Sequence, residues 1–70
     1  MMTVVLEEHE SENYCIILAI ENRYNRNYYS VKVHPLINGY GGYPIREMGY
    51  SMDEKKKAYA TYRRYKKKYI

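Results

Sequence analysis

The last twenty residues constrain the fold more than any other part of the chain. Ser51-Met52-Asp53-Glu54 fits a capping box, with Ser51 as N-cap and Glu54 reaching back to its amide. From Met52 to the C-terminus nothing breaks a helix, which predicts a helix over about 52–69 and close to ~28 Å long at ~1.5 Å per residue. Asp53 and Glu54 suit its positive start, and the lysines that follow suit its negative end. Ala58, Tyr59, Tyr62, Tyr65 and Tyr69 recur at i, i+3, i+4, i+7 and so form one stripe. A stripe of rings on one face demands a second layer, and the residues before Ser51 must supply it.

Those residues read as strands. Thr3 to Glu8 has the β-branched content of a short strand, and Tyr14 to Glu21 carries three isoleucines and a leucine in eight residues. Both faces of the second segment are apolar, with Tyr14, Ile16, Leu18 and Ile20 on one and Cys15, Ile17 and Ala19 on the other. That pattern marks a central strand, or one whose second face a partner covers; a homodimer would cover it. Tyr28 to His34 alternates, placing Tyr29, Val31 and Val33 inward and Tyr28, Ser30, Lys32 and His34 outward, and Pro35 is expected to stop it. The three asparagines of Asn22-Arg23-Tyr24-Asn25-Arg26-Asn27 suit a left-handed turn between these strands. Leu36 to Pro44 reads as a glycine-rich loop, and 45–50 as a short fourth strand at an edge. The expected fold is α+β: an antiparallel three- or four-stranded β-meander with one C-terminal amphipathic helix packed on one face (βββ(β)α). Strands are expected at about 3–8, 14–21, 28–34 and 45–50, in a single domain over 1–70.

Size and chemistry narrow the function. Seventy residues bury only roughly 60% of the surface of the unfolded chain, too little for a large enzyme with a deep cofactor cleft. One cysteine forms no intramolecular disulfide, and Cys15, His9 and His34 match no familiar zinc spacing. The longest apolar run, Tyr14 to Ile20, is far short of the ~20 residues of a membrane span. The N-terminus lacks a basic segment and turns acidic, which argues against a signal peptide and for a cytoplasmic location. Cys15 within an apolar strand reads as a buried, inert thiol. Glu7 and Glu8 alternate to opposite faces of a strand and cannot act as a pair. The Gly39-Tyr40-Gly41-Gly42-Tyr43-Pro44 loop lacks the strand–loop–helix setting of a phosphate cradle. No enzyme, cofactor or metal is expected.

Charge is divided along the chain. Residues 1–22 hold five glutamates and no Lys or Arg (−5), whereas residues 23–70 hold all twelve basic residues against three acidic ones (+9). The polar side of the helix carries eight cations and, past its first turn, no anion. Lys56, Arg63 and Lys67 make one row, and Lys57, Arg64 and Lys68 a second. Like charges at i, i+4 oppose the helix by roughly 0.2–0.5 kcal/mol each. Such repulsion points to a polyanionic partner, unless the acidic segment folds onto it. The eleven tyrosines divide as well: the helix stripe reads as core, and Tyr24, Tyr28, Tyr40 and Tyr43 as candidates for base stacking or an interface. A genome poor in G and C would also enrich Tyr and Lys.

Gly49-Tyr50-Ser51 followed by Lys55-Lys56-Lys57-Ala58 resembles the glycine–serine–lysine–lysine–alanine region of the double-stranded-RNA-binding domain. The resemblance implies a three-stranded meander followed by a helix whose N-terminal lysines meet phosphates. The leading helix of that family is missing here, three residues intervene before the lysines, and tyrosines replace its alanine-rich helix. The expected function is a small non-enzymatic nucleic-acid-binding accessory protein contacting phosphates through Lys56, Lys57, Arg63, Arg64, Lys67 and Lys68, with Arg23 and Arg26 extending the surface. The alternative is a protein-binding inhibitor or adaptor, as from a phage or other mobile element, using a tyrosine- and arginine-rich surface. Its partner would be an acidic protein surface.

Overall fold

A computed structural model of the protein describes residues 2–37 and 40–69. The chain runs β1 (Thr3–Glu10), β2 (Tyr14–Arg23), β3 (Arg26–Ile37), β4 (Tyr40–Gly41) and β5 (Arg46–Ser51), then a 3-10 turn (Met52–Glu54) and α1 (Lys55–Lys68). All pairings are antiparallel: β1 with β2, β2 with β3, and β3 with both β5 and the two-residue β4. The expected meander with a C-terminal helix on one face is therefore the observed architecture.

The helix-facing side follows the alternation read from the sequence. Ile16, Leu18, Tyr29, Val31 and Val33 meet Ala58, Tyr62 and Tyr65 in one buried cluster, with Tyr14, Ile20, Tyr50, Tyr59 and Tyr69 packed around it. Tyr69 stands edge-on to Tyr14, ring centroids 5.0 Å apart. Thr61 joins this interface although the tyrosine stripe does not include it. Its hydroxyl shares a 2.5 Å hydrogen bond with Tyr50 OH, tying the helix to β5. β1 contributes no residue to the cluster, so Met2, Val4, Val5 and Leu6 remain exposed along a sheet edge. A bulge between Val5 and Glu7 interrupts that edge.

Most strand ends shift by one or two residues from expectation, and three larger departures each have a physical reason. β3 does not stop at Pro35 but continues to Ile37. Pairing with β5 ends at Val33 and pairing with β4 begins at Leu36, so the missing N–H of Pro35 faces the gap between two partners and no ladder bond is lost. The segment read as a glycine loop accordingly contains β4, while Asn38 and Gly39 lie outside the described residues. The capping box forms, with the Ser51 N–H donating to Glu54 Oε1 at 3.0 Å. Its first turn is 3-10, however, and the α-helix begins only at Lys55.

Candidate nucleic-acid interface

α1 presents its cations on the side away from the sheet. Lys56, Lys57, Arg63, Arg64, Lys67 and Lys68 are all exposed, while Ala58, Thr61, Tyr62 and Tyr65 face the sheet. The two rows differ in what they touch. In the second row Lys57 pairs with Glu54 at 3.1 Å, Arg64 lies over the Tyr65 ring at 5.7 Å and Lys68 over the Tyr69 ring at 5.4 Å. Among the described residues, Lys56, Arg63 and Lys67 have neither an ion pair nor a ring contact. From Lys56 to Lys67 this unengaged row rises about 17 Å at ~1.5 Å per residue. On a nucleic-acid strand with one phosphate per ~3.4 Å, that is about five phosphates.

Ala60 is the one small exposed residue amid these cations. With Arg63, Arg64 and Lys67 it lines a shallow depression, and a second is lined by Lys55, Lys56, Tyr59 and Arg63. A missing side chain at the centre of a basic face lets an anionic backbone approach the helix. Neither Ala60 nor the half-buried Tyr59 stood out from the sequence as part of this face. The helical wheel carries the signal for Ala60, because it falls between the two basic rows.

The acidic segment does not neutralise the helix. Glu8, Glu10 and Glu21 lie on the sheet face opposite α1, since they share a face with Ile17, Cys15 and Ala19 in the paired register. Glu7 faces the other way, opposite Leu18, as its alternation with Glu8 demanded. On the open face Lys32 bridges Glu21 at 3.0 Å and Glu47 at 3.7 Å. The Lys32 ammonium sits beside Glu21 Oε2 but off the line of a hydrogen bond, so this contact is electrostatic. Burial pushes the Glu21 carboxyl up, but the Ser30 hydroxyl and the Lys32 ammonium outweigh it and hold the group below the usual carboxylate range. Among the described residues, Glu54 is the sole carboxylate within ion-pair distance of a helix cation.

The remaining candidates separate by position. Arg23 and Arg26 are exposed and directly opposite one another at the last rung of the β2–β3 hairpin. Tyr24 and Asn25 form its two-residue turn with φ of 55° and 61°, so the left-handed positions go to a tyrosine and one asparagine. Tyr24 is 92% exposed and Tyr43 94% exposed. Tyr28 is half-buried on the open face opposite Ser51, and the side chain of Tyr40 lies outside the described residues.

Cys15 lies beneath neighbours that no spacing argument could supply. It sits between Glu10 and His34 in the register, and its thiol donates to Glu8 Oε1 at 3.5 Å. Burial, the Glu8 hydrogen bond and the nearby carboxylates push the thiol up to about 11, so at neutral pH it is protonated and a poor nucleophile. His34 Nδ1 is bonded to the Gly42 carbonyl at 2.9 Å. Among the described residues no cluster of three or more His, Cys, Asp or Glu is placed to hold a metal ion, and no helix is long and apolar enough to cross a membrane.

Comparison with known protein families, with curated proteins and with solved structures returns no match. The chemistry of the surface is therefore the guide to function.

Proposed function

We propose that this chain is a non-enzymatic nucleic-acid-binding accessory protein whose contacts are chiefly to phosphates. The observation that carries the reading is the unengaged row Lys56–Arg63–Lys67, exposed beside Ala60 and left without carboxylate partners among the described residues. Cations set at this pitch along a rigid helix suit a line of phosphates, and counterion release supplies the affinity. Contacts of that kind position a duplex or a strand without reading its sequence.

Fluorescence anisotropy with labelled duplex DNA, single-stranded DNA and duplex RNA tests this. Six phosphate contacts would weaken binding by roughly 10³-fold between ~50 and ~200 mM salt. The triple variant K56E/R63E/K67E should abolish binding with its circular dichroism unchanged. Absence of binding by the native chain at the lower salt overturns the proposal.

Tyr43 favours a second reading. At 94% exposure it borders a depression lined by His34, Gly42 and Pro44, a setting that suits an interface anchor of a protein-binding inhibitor or adaptor. In that case Tyr43→Ala would destroy partner capture and K56E/R63E/K67E would be silent.

A further inference from the structure

The β2–β3 turn combines three features that work against folding. Tyr24 holds a left-handed backbone at φ 55°, a conformation that glycine and asparagine adopt readily and that is unfavourable for a bulky ring. Its ring is 92% exposed, so no packing compensates. Arg23 and Arg26 face each other on adjacent strands, where like charges directly opposite are destabilising. The rung behind them is built for rigidity, with Asn22 Nδ2 donating to Asn27 Oδ1 at 2.8 Å. Asn22, Arg23, Tyr24 and Asn25 line an open depression at the apex.

The placement of this tip matters as much as its composition. Tyr28 pairs with Ser51, the residue that caps the start of the helical segment. The turn therefore projects from the same end of the molecule as Lys55, Lys56 and Lys57. From the Glu21–Tyr28 rung to Tyr24 is three residues, roughly 10 Å at ~3.3 Å per residue. By alternation Arg23 and Arg26 stand on the open face with Glu21 and Tyr28, across the sheet from α1, so a nucleic acid that meets both the helix and the tip has to wrap around this end of the molecule.

Resting on the nucleic-acid reading above, we infer that the β2–β3 tip recognises an unpaired base, with Tyr24 stacking on its face and Arg23 and Arg26 holding the phosphates on either side. The stacking face of a base inside a continuous duplex is covered by its neighbours. A narrow tip with one ring at its apex finds such a face open only in single strands, at ends or at bulges. Aromatic stacking is sequence-tolerant, because every base offers a π-face, and flanking guanidiniums bind phosphate with charge-assisted hydrogen bonds. The basic helix would then supply general affinity, and the hairpin the choice of structure.

The test uses three oligonucleotides at ~50 mM salt: a perfect duplex, the same duplex with a single bulged 2-aminopurine, and the single strand. The native chain should prefer the bulged duplex by roughly 5- to 150-fold, the range expected of one stacked base, and should quench the 2-aminopurine. Tyr24→Asn places a residue at home in the left-handed region, so it folds at least as well as the native chain. It should lose the preference and the quenching while still binding the perfect duplex. Tyr24→Phe should retain both. Equal affinity of the native chain for the perfect and bulged duplexes, or a preference that survives Tyr24→Asn, overturns the inference and leaves the ring to a protein contact. Failure to bind all three oligonucleotides overturns the phosphate reading with it.

Discussion

Changing Arg63 to glutamate should stabilise the fold and weaken its proposed function together. Arg63 is exposed near the middle of the α1 surface, with Lys66 and Lys67 three and four residues ahead. Each like-charge neighbour opposes the helix by roughly 0.2–0.5 kcal/mol, and each opposite-charge neighbour supports it by a similar amount. Reversing one charge against two neighbours therefore yields at most about 2 kcal/mol, and solvent screening of exposed pairs brings this to about 0.5–1 kcal/mol. For a domain of this size that is a rise in Tm of about 2–8 °C. Binding changes in the opposite direction. One phosphate contact contributes a salt slope of about 0.9, so its loss weakens binding by about 15-fold at ~50 mM salt and about 4-fold at ~200 mM. Arg63→Gln should show this loss alone, and Arg63→Glu a larger one because the carboxylate repels phosphate. Thermal melts by circular dichroism and anisotropy titrations on the same samples read both effects. A fall in Tm on Arg63→Glu would mean that the guanidinium packs or pairs in the fold, and unchanged affinity would remove α1 from the interface.

Three further outcomes test other parts of the structure. Thr61→Val and Tyr50→Phe each break the 2.5 Å bond that ties α1 to β5; each should cost about 1–2 kcal/mol, while the double variant costs less than their sum, as urea melts would show. The Cys15 thiol is pushed up to about 11 from an ordinary value of 9.0. A raised acid stabilises the fold below its unfolded value and loses that contribution as pH climbs through 9 to 11, so native stability should decline over that window more than that of Cys15→Ala, and the thiol should react slowly with iodoacetamide at pH 8. Ahead of its bulge and its glutamates, β1 leaves Val4, Val5 and Leu6 exposed on an edge segment with no charge or Pro, so two copies should pair along Thr3–Leu6; light scattering should show a concentration-dependent dimer that Leu6→Lys returns to monomer, and a native monomer at every concentration would refute this.

What could be read in advance depended on whether it was local. The alternation of Tyr29, Val31 and Val33 and the capping box at Ser51 act within a few residues, and both appear in the structure. The course of β3 past Pro35 depends on which strand lies beside it, and the exchange of β5 for β4 at that point is a property of the whole sheet. The turn at Tyr24 has a similar origin. Burial of Leu18 and Tyr29 on the helix side and of Glu21 on the other fixes the register of β2 and β3. With that register the two unpaired residues must be Tyr24 and Asn25, whatever their preference for left-handed backbone. The cations of α1 were legible as two equivalent rows. Their division into an engaged and an unengaged row depends on Glu54, Tyr65 and Tyr69, whose contacts only the folded helix displays.

The stability lost at this surface is concentrated rather than scattered. Ordinary selection for a stable small domain would set glutamates among the lysines of α1, separate Arg23 from Arg26, and place glycine or asparagine at position 24. Each of these changes is a single substitution at an exposed site, open to any chain that gains by it. The core shows no matching laxity, since Ile16, Leu18, Val31, Val33 and Ala58 are wholly buried. Local rules are broken where the surface is basic or aromatic and kept where the chain packs, which is the pattern expected when a binding site sets the sequence against its own fold. The two regions stand or fall together: substitutions that relieve repulsion on α1 or strain at the tip should raise Tm and lower affinity in the same samples. If Tm rises while affinity holds in both regions, their unfavourable residues reflect composition alone, and the surface would carry no nucleic-acid site.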